Sequence, residues 1–216
     1  MSDPASLLVR EHFATSEQQR ETASIGMWVF LASEVMMFGG LFMAYTAYRV
    51  LHPHGFHAGS EEMDIVLGSI NTAVLLSSSV LLALAEHSIQ RGRQRAMCLL
   101  LIGTMILGCL FLGIKFTEYV EHYQAHKAPG VWFEYGGHGE SGYQMFFVFY
   151  FIMTGLHAAH MVVGILILAG LLFRAWLGRF TAEYHNPIMM GGIYWNFIDI
   201  IWIFLYAIFY LPGLHK

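Results

Sequence analysis

The chain has 216 residues, of which 56% are hydrophobic and only 12% are charged. A soluble domain usually carries about 25% charged residues, so this composition excludes a sizeable soluble domain and indicates a polytopic membrane protein. The formal net charge of −4 is small and spread along the chain, and it gives no sign of a nucleic-acid partner.

Five apolar stretches are long enough to cross a bilayer, since a spanning helix needs about 20 mostly apolar residues. Backbone groups cannot stay unpaired in lipid, so these stretches are predicted to be helices. The sequence therefore predicts an all-α fold, a five-helix transmembrane domain over residues 25–216 that follows a polar segment at 1–24. The predicted helices are residues 25–48, 65–85, 96–117, 143–173 and 191–211.

Lysine and arginine residues predict the orientation of the helices, because cytoplasmic loops carry an excess of them. One side of the predicted bundle holds seven, including Arg91, Arg93 and Arg95 in the short second loop. The other side holds four, one of which is Lys115, and its longest loop is residues 118–142. We therefore predict a cytoplasmic N-terminus and an outward, periplasmic C-terminus.

Glu34 lies in the middle of the first predicted helix among apolar neighbours. An ionisable group inside a membrane segment costs about 2.5–3.5 kcal/mol on insertion scales and normally faces protein. Two interpretations stay open from the residues alone. Glu34 either exchanges protons or contacts lipid and a partner, or it is a neutral, hydrogen-bonded acid that fixes helix register.

His157 and His160 lie three residues apart on the fourth predicted helix, on neighbouring faces. Imidazoles can bind haem or a metal ion, but such a site would need further ligands from other helices. The nearest candidates are Glu34, Glu86, His87 and Asp199. The sequence favours hydrogen bonds between helices over a metal site for these two histidines.

The fifth predicted helix carries Asn196 and Asp199 three residues apart, with Trp195 and Trp202 on one face. This pattern predicts a polar helix–helix contact, which could include the two histidines of the fourth helix. Asn71 and the serines at 77–79 are likewise typical of close helix interfaces.

Three histidines, His52, His54 and His57, cluster in the first outward loop. Such a cluster can bind zinc or copper. No cysteine or fixed carboxylate stands at ligand spacing, so the sequence favours a solvent-exposed loop.

Each of the five predicted helices carries a motif, and the motifs follow one another in a fixed order. They are Trp28-x5-Glu34-x3-Phe38, Asn71-Thr72 through Ser77-Ser78-Ser79 to Glu86-His87-Ser88, Leu112-Gly113 through Phe116 to Glu118-Tyr119, Thr154-Gly155-Leu156-His157 through His160 to Gly164, and Tyr194-Trp195-Asn196-Phe197 with Asp199, Trp202 and Tyr206. This set resembles subunit III of haem-copper terminal oxidases over about residues 26–211.

The resemblance implies the short five-helix bacterial form, a multi-pass protein of the bacterial inner membrane. It implies a non-catalytic subunit without a cofactor of its own, which stabilises the catalytic subunit I, contacts other oxidase subunits and binds phospholipid. The haems and copper would lie in partner subunits, and the complex would reduce oxygen to water and pump protons. The subunit would support proton uptake and oxygen access.

The resemblance also assigns residues by position. Glu34 matches the membrane-embedded acid of the family, and Arg174 matches an arginine near lipid headgroups at the cytoplasmic face. His157, His160 and Asp199 match structural polar positions. Asn196 stands where the family usually has histidine, and Glu86 stands where many members have histidine.

The main alternative is a five-helix di-haem cytochrome b that anchors a quinone-reactive enzyme. Two bis-histidine haems need four histidines at matched depths on separate helices. The chain offers His157 and His160 on one helix and His87 at a helix end, which argues against this alternative. A small proton-coupled transporter that uses Glu34 is a third interpretation, although neither repeats nor broken helices are evident.

Overall fold

The structure, a computed structural model, describes residues 16–127, 140–177 and 186–214. These residues form six α-helices and a final 3₁₀ helix at Leu211–Leu214. The helices are α1 (Ser16–Leu51), α2 (Pro53–Glu61), α3 (Ile65–Gln90), α4 (Gln94–Gln124), α5 (Glu140–Trp176) and α6 (Asn186–Phe209). All but α2 are long and apolar enough to cross a membrane, which confirms the predicted all-α fold with five spanning helices.

The helices extend beyond the apolar stretches that predicted them. α1 begins at Ser16 rather than at residue 25, so part of the predicted polar segment is helical, and residues 1–15 lie outside the described residues. α4 continues to Gln124, so Glu118 is on a helix and not in the outward loop where it was expected. Polar residues can continue a helix past the apolar centre as long as the backbone hydrogen bonds continue.

The first outward connection is not the simple loop that was expected, because residues 53–61 form α2. Pro53 occupies the start of this helix, where its missing N–H has no intrahelical partner to lose. The side chains of His52, His54 and His57 are exposed, as predicted. Gly55 lies so close to α5 that a Cβ there would be 2.6 Å from the carbonyl carbon of Gly142.

Local caps set the ends of α3. The Asp64 carboxylate accepts hydrogen bonds from the backbone N–H groups of Val66 and Leu67, at 2.9 and 3.0 Å, which satisfies two unpaired donors of the first turn. After α3 the chain turns at Gly92, whose φ of 70° favours glycine. The short turn allows α3 and α4 to form an antiparallel hairpin.

The chain divides into two compact units, Met1–Met37 and Phe38–Lys216. In the first unit, α1 exposes large apolar side chains that include Ile25, Trp28 and Met36. In the second unit, α6 packs against α3 and α5. About half of the most apolar window of α6 (56%) is buried, compared with 28% for α3, so the core of this unit lies around α6.

Candidate functional site

Four buried side chains form a hydrogen-bonded group that we call the lysine–glutamate cluster: Lys115, Glu118, Tyr150 and Tyr210. The Lys115 ammonium donates hydrogen bonds to Glu118, Tyr150 and Tyr210, each at 2.9 Å. The hydroxyls of Tyr150 and Tyr210 in turn donate to Glu118 Oε1, at 2.8 and 2.5 Å. Lys115 and Glu118 are only 3% and 4% exposed, so the pair is fully internal.

Three helical segments build this cluster. Lys115 and Glu118 are three residues apart on α4, Tyr150 comes from α5, and Tyr210 directly follows α6. An ammonium has three donors, and here all three are used. A buried ion pair needs opposite charges and complete hydrogen bonding, and this cluster has both. Because Lys115 and Glu118 have opposite charges, the cluster adds no net charge to the interior.

The sequence does not predict this cluster, because the predicted helix ends leave Lys115 among the outward charges and Glu118 in a loop. A signal was present in the spacing along α4. The buried positions of this helix recur every three or four residues, and continuing that stripe past Phe111 brings Lys115 and Glu118 to the core. The buried positions are Met97, Leu101, Thr104, Gly108, Phe111, Lys115, Glu118 and His122.

The two tryptophans of α6 bond to α3. Trp195 Nε1 donates to Ser78 Oγ, and Trp202 Nε1 donates to Thr72 Oγ1, both at 3.0 Å. The indoles therefore join α6 to α3, whereas the polar contact was predicted for Asn196 and Asp199. The Trp195 ring also lies against glycines, since a Cβ on Gly108 would be 2.8 Å from it.

Four other polar side chains are buried without a hydrogen bond within the described residues. They are Asn71 on α3, His122 on α4, His157 on α5 and Asp199 on α6, which are 1%, 8%, 1% and 4% exposed. The His157 ring packs against Phe111 and Trp202, with ring centroids 5.6 and 5.3 Å apart. The structure therefore shows ring contacts at His157 where interhelical hydrogen bonds were expected.

The other predicted polar residues of α5 and α6 lie nearer the surface of the bundle. His160 is half-buried, and its Nδ1 is 2.8 Å from the carbonyl oxygen of Leu156 in its own helix. Its ring meets Phe38 at 5.5 Å. Asn196 is exposed although Asp199, three residues later, is buried.

The two residues expected near lipid or protons lie on different units. Glu34 is half-buried on the part of α1 in the first unit. Arg174 is exposed in the last turn of α5, beside the exposed side chains of Phe173 and Trp176. Neither lies in the lysine–glutamate cluster.

The structure shows polar groups that join helices. Within residues 16–127, 140–177 and 186–214, no group of three or more His, Cys, Asp or Glu side chains could hold a metal ion. The donors and acceptors of the lysine–glutamate cluster pair with one another, and each of the two indoles donates to a hydroxyl of α3. Chemically, this arrangement holds α3, α4, α5 and α6 in register.

Comparison with known proteins gives a consistent result. Residues 10–214 match the family model for cytochrome c oxidase subunit III. The chain is 33% identical to cytochrome c oxidase subunit 3 of Thermostichus vulcanus, over 87% of this chain and 86% of that protein. It is 29% identical to quinol oxidase subunit 3 of Bacillus subtilis (strain 168), over 93% and 94%.

A third relative joins two subunits in one chain. The heme-copper oxidase subunit I+III of Aeropyrum pernix is 30% identical over 86% of this chain and 22% of that protein. The chain therefore belongs to the cytochrome c oxidase subunit III family. It is a multi-pass membrane protein, and the comparisons give no support to the di-haem cytochrome b alternative.

Proposed function

We propose that this chain is a non-catalytic subunit that stabilises the catalytic subunit I of a respiratory haem-copper oxidase. The match to subunit III over residues 10–214 carries the proposal. In this proposal the complex reduces oxygen to water and pumps protons, and its electrons pass through haems and copper in partner subunits. The interior of α3 to α6 supports a structural role, because buried hydrogen bonds there join helices to one another.

The fused Aeropyrum pernix relative supports subunit I as the direct partner. A fusion keeps the two parts at a high effective concentration, which suits two parts that function as one assembly. Related proteins are named as cytochrome c oxidase and as quinol oxidase subunits, so the proposal covers both types of electron donor.

Phospholipid is the proposed ligand of this subunit. Arg174 lies with Phe173 and Trp176 at the end of α5, where an arginine can reach a lipid phosphate while aromatic rings sit at the headgroup level. An open apolar face on α1 can accommodate acyl chains, and it is lined by Phe42, Met43, Thr46, Ala47, Val50 and Leu51. Glu34 is proposed to act in proton uptake or lipid contact.

The proposed location is the bacterial inner membrane, with the N-terminus in the cytoplasm and the C-terminus in the periplasm. The charge bias supports this orientation more clearly once Lys115 is known to be internal. With Lys115 left out of the count, three basic residues remain on the outward side, compared with seven on the other side.

Purification of the tagged chain in mild detergent tests the proposed function. We expect haem to co-purify, as seen in a redox difference spectrum, and to be lost when harsher detergent separates the chain. Haem that stays with the isolated chain, or no haem in either preparation, would contradict the proposal.

A further inference from the structure

Asn196 is an exposed polar residue near the middle of the spanning helix α6. It lies about 15 Å along the helix axis from Asn186, where α6 begins, and about 20 Å from Phe209, where α6 ends. Its carboxamide makes no hydrogen bond to any residue that the structure describes. The group therefore faces outward at the depth of the hydrocarbon core without a partner in the described part of the chain.

The side chains that follow Asn196 on the same face form one exposed stripe, which we call the Asn196 stripe. Ile200, Ile203 and Phe204 come four, seven and eight residues after it, which is the spacing of one helix face. These three side chains are 51%, 42% and 56% exposed. The stripe is therefore apolar except for a single carboxamide.

Neighbouring helices border the Asn196 stripe without covering it. At one edge, Phe42 of α1 contacts Phe204, with ring centroids 5.9 Å apart. At the other edge, Ser69 of α3 bonds to the hydroxyl of Tyr206, with 2.7 Å between the two oxygens. The stripe is thus a surface of α6 between two helices that already pack against it.

Lipid tails fit the apolar part of the stripe but not Asn196. A carboxamide can both donate and accept hydrogen bonds, and a polar group left unpaired in hydrocarbon is costly. Asparagine side chains in membrane proteins instead bond across helices. A fitting partner must cover the apolar residues and also bring a polar group to the depth of Asn196. A second transmembrane helix meets both conditions.

We propose that the Asn196 stripe is a docking surface for a transmembrane helix of another oxidase subunit, which presents a hydrogen-bonding side chain to Asn196. This inference rests on the proposed function, which places the chain in a complex of membrane subunits, and it adds the surface and the chemistry of the contact. The fused Aeropyrum pernix relative favours a different subunit over a second copy of this chain, because its name joins subunits I and III.

Photocrosslinking in the purified complex tests the surface. p-Benzoylphenylalanine in place of Ile200 puts a photoreactive ketone on the stripe and keeps Asn196. We expect irradiation to join this chain to a different polypeptide, identified by mass spectrometry. Adducts with phospholipid alone, or with a second copy of this chain, would overturn the proposal. Preparations that carry haem but give only lipid adducts reject this surface alone, whereas preparations without haem reject the proposed function and this inference with it.

Substitutions test the hydrogen bond itself. Asn196→Leu should lower the association constant between this chain and the haem-containing part of the complex by roughly 3-fold to 20-fold, the range of interhelical hydrogen bonds in membranes. Detergent titration of the complex, read as haem retained on the tagged chain, measures this change. Asn196→Gln keeps a carboxamide and should lose less, and the matched apolar change Ile203→Leu should have little effect. If Asn196 faced lipid, the leucine variant would bind as well as the unchanged chain or better, which would contradict the proposal.

Discussion

Lys115 and Glu118 should be energetically coupled, because each is the buried counter-ion of the other. Lys115→Met keeps most of the aliphatic stem but removes the ammonium and its three hydrogen bonds at 2.9 Å. Glu118, only 4% exposed, would then be left without a cation. Removing one partner of a buried ion pair costs about 3–5 kcal/mol, so we expect Lys115→Met to destabilise the folded chain by that amount. Glu118→Gln alone would leave the ammonium without its counter-ion and should have a similar effect.

The double variant separates charge pairing from packing. Lys115→Met combined with Glu118→Gln makes the site neutral, and the glutamine carbonyl can still accept from Tyr150 and Tyr210. Replacing both partners of a buried pair by neutral side chains of similar volume is often close to neutral. We therefore expect the double variant to lose less stability than the two single variants together, by roughly 3 kcal/mol.

The assay is thermal dissociation of the tagged chain from the purified complex, measured for all four members of the cycle. The matched control is the pair Lys127 and Glu62, whose side chains are 23% and 42% exposed. The same cycle there, Lys127→Met with Glu62→Gln, should give a coupling of at most about 1 kcal/mol. Equal losses for Lys115→Met and Lys127→Met, or additive effects at the buried pair, would refute the reasoning.

Three further predictions concern other parts of the chain. Gly108→Ala should cost about 1–3 kcal/mol by overpacking against Trp195, because the new Cβ would be 2.8 Å from the ring, whereas Gly113→Ala, which meets no described atom within 4 Å, should be tolerated. Thermal stability of the complex measures both, and equal effects would be inconsistent with the packing argument. Arg174→Gln should lower the phospholipid that co-purifies with the complex, and Arg174→Lys should retain it; unchanged lipid content in the glutamine variant would argue against a headgroup contact. Glu34→Ala should leave the initial turnover rate nearly normal but shorten the active lifetime of the enzyme; immediate loss of activity in an intact complex would reject the accessory role.

The number and position of the spanning helices could be predicted from sequence, because 20 apolar residues in lipid leave the backbone few alternatives. Their ends could not be predicted in the same way. The apolar signal stops near residue 117, yet α4 continues to Gln124, where a turn ends it at His126 with φ of 55°. Hydropathy reports the lipid environment, whereas local backbone conformation decides where a helix ends.

The polar contacts show the same division between what spacing determines and what packing determines. A spacing of seven residues places Trp195 and Trp202 on one face, as predicted, but does not identify Ser78 and Thr72 as their partners. The cluster at Lys115 needs Tyr210, which is 95 residues away along the chain. Contacts this distant depend on how the helices are arranged in space.

In lipid, the helices of such a subunit are held together mainly by packing and interhelical hydrogen bonds. Between membrane helices the hydrophobic effect gives little drive, since lipid tails are as apolar as the side chains, and one interhelical hydrogen bond contributes only about 0.6 kcal/mol on average. The second unit therefore uses several polar contacts on different helix pairs. The Tyr45 hydroxyl donates to the Ile208 carbonyl, joining α1 to α6 at 2.9 Å, and the two indoles join α6 to α3. The lysine–glutamate cluster then joins α4 to α5 and to the end of α6, because Tyr150 and Tyr210 hydrogen-bond to Lys115 and Glu118. Hydrogen bonds to charged groups contribute more than neutral ones. A subunit whose proposed role is to support a catalytic neighbour would benefit from this arrangement, because its helices keep their positions while its outer apolar faces meet lipid and partner.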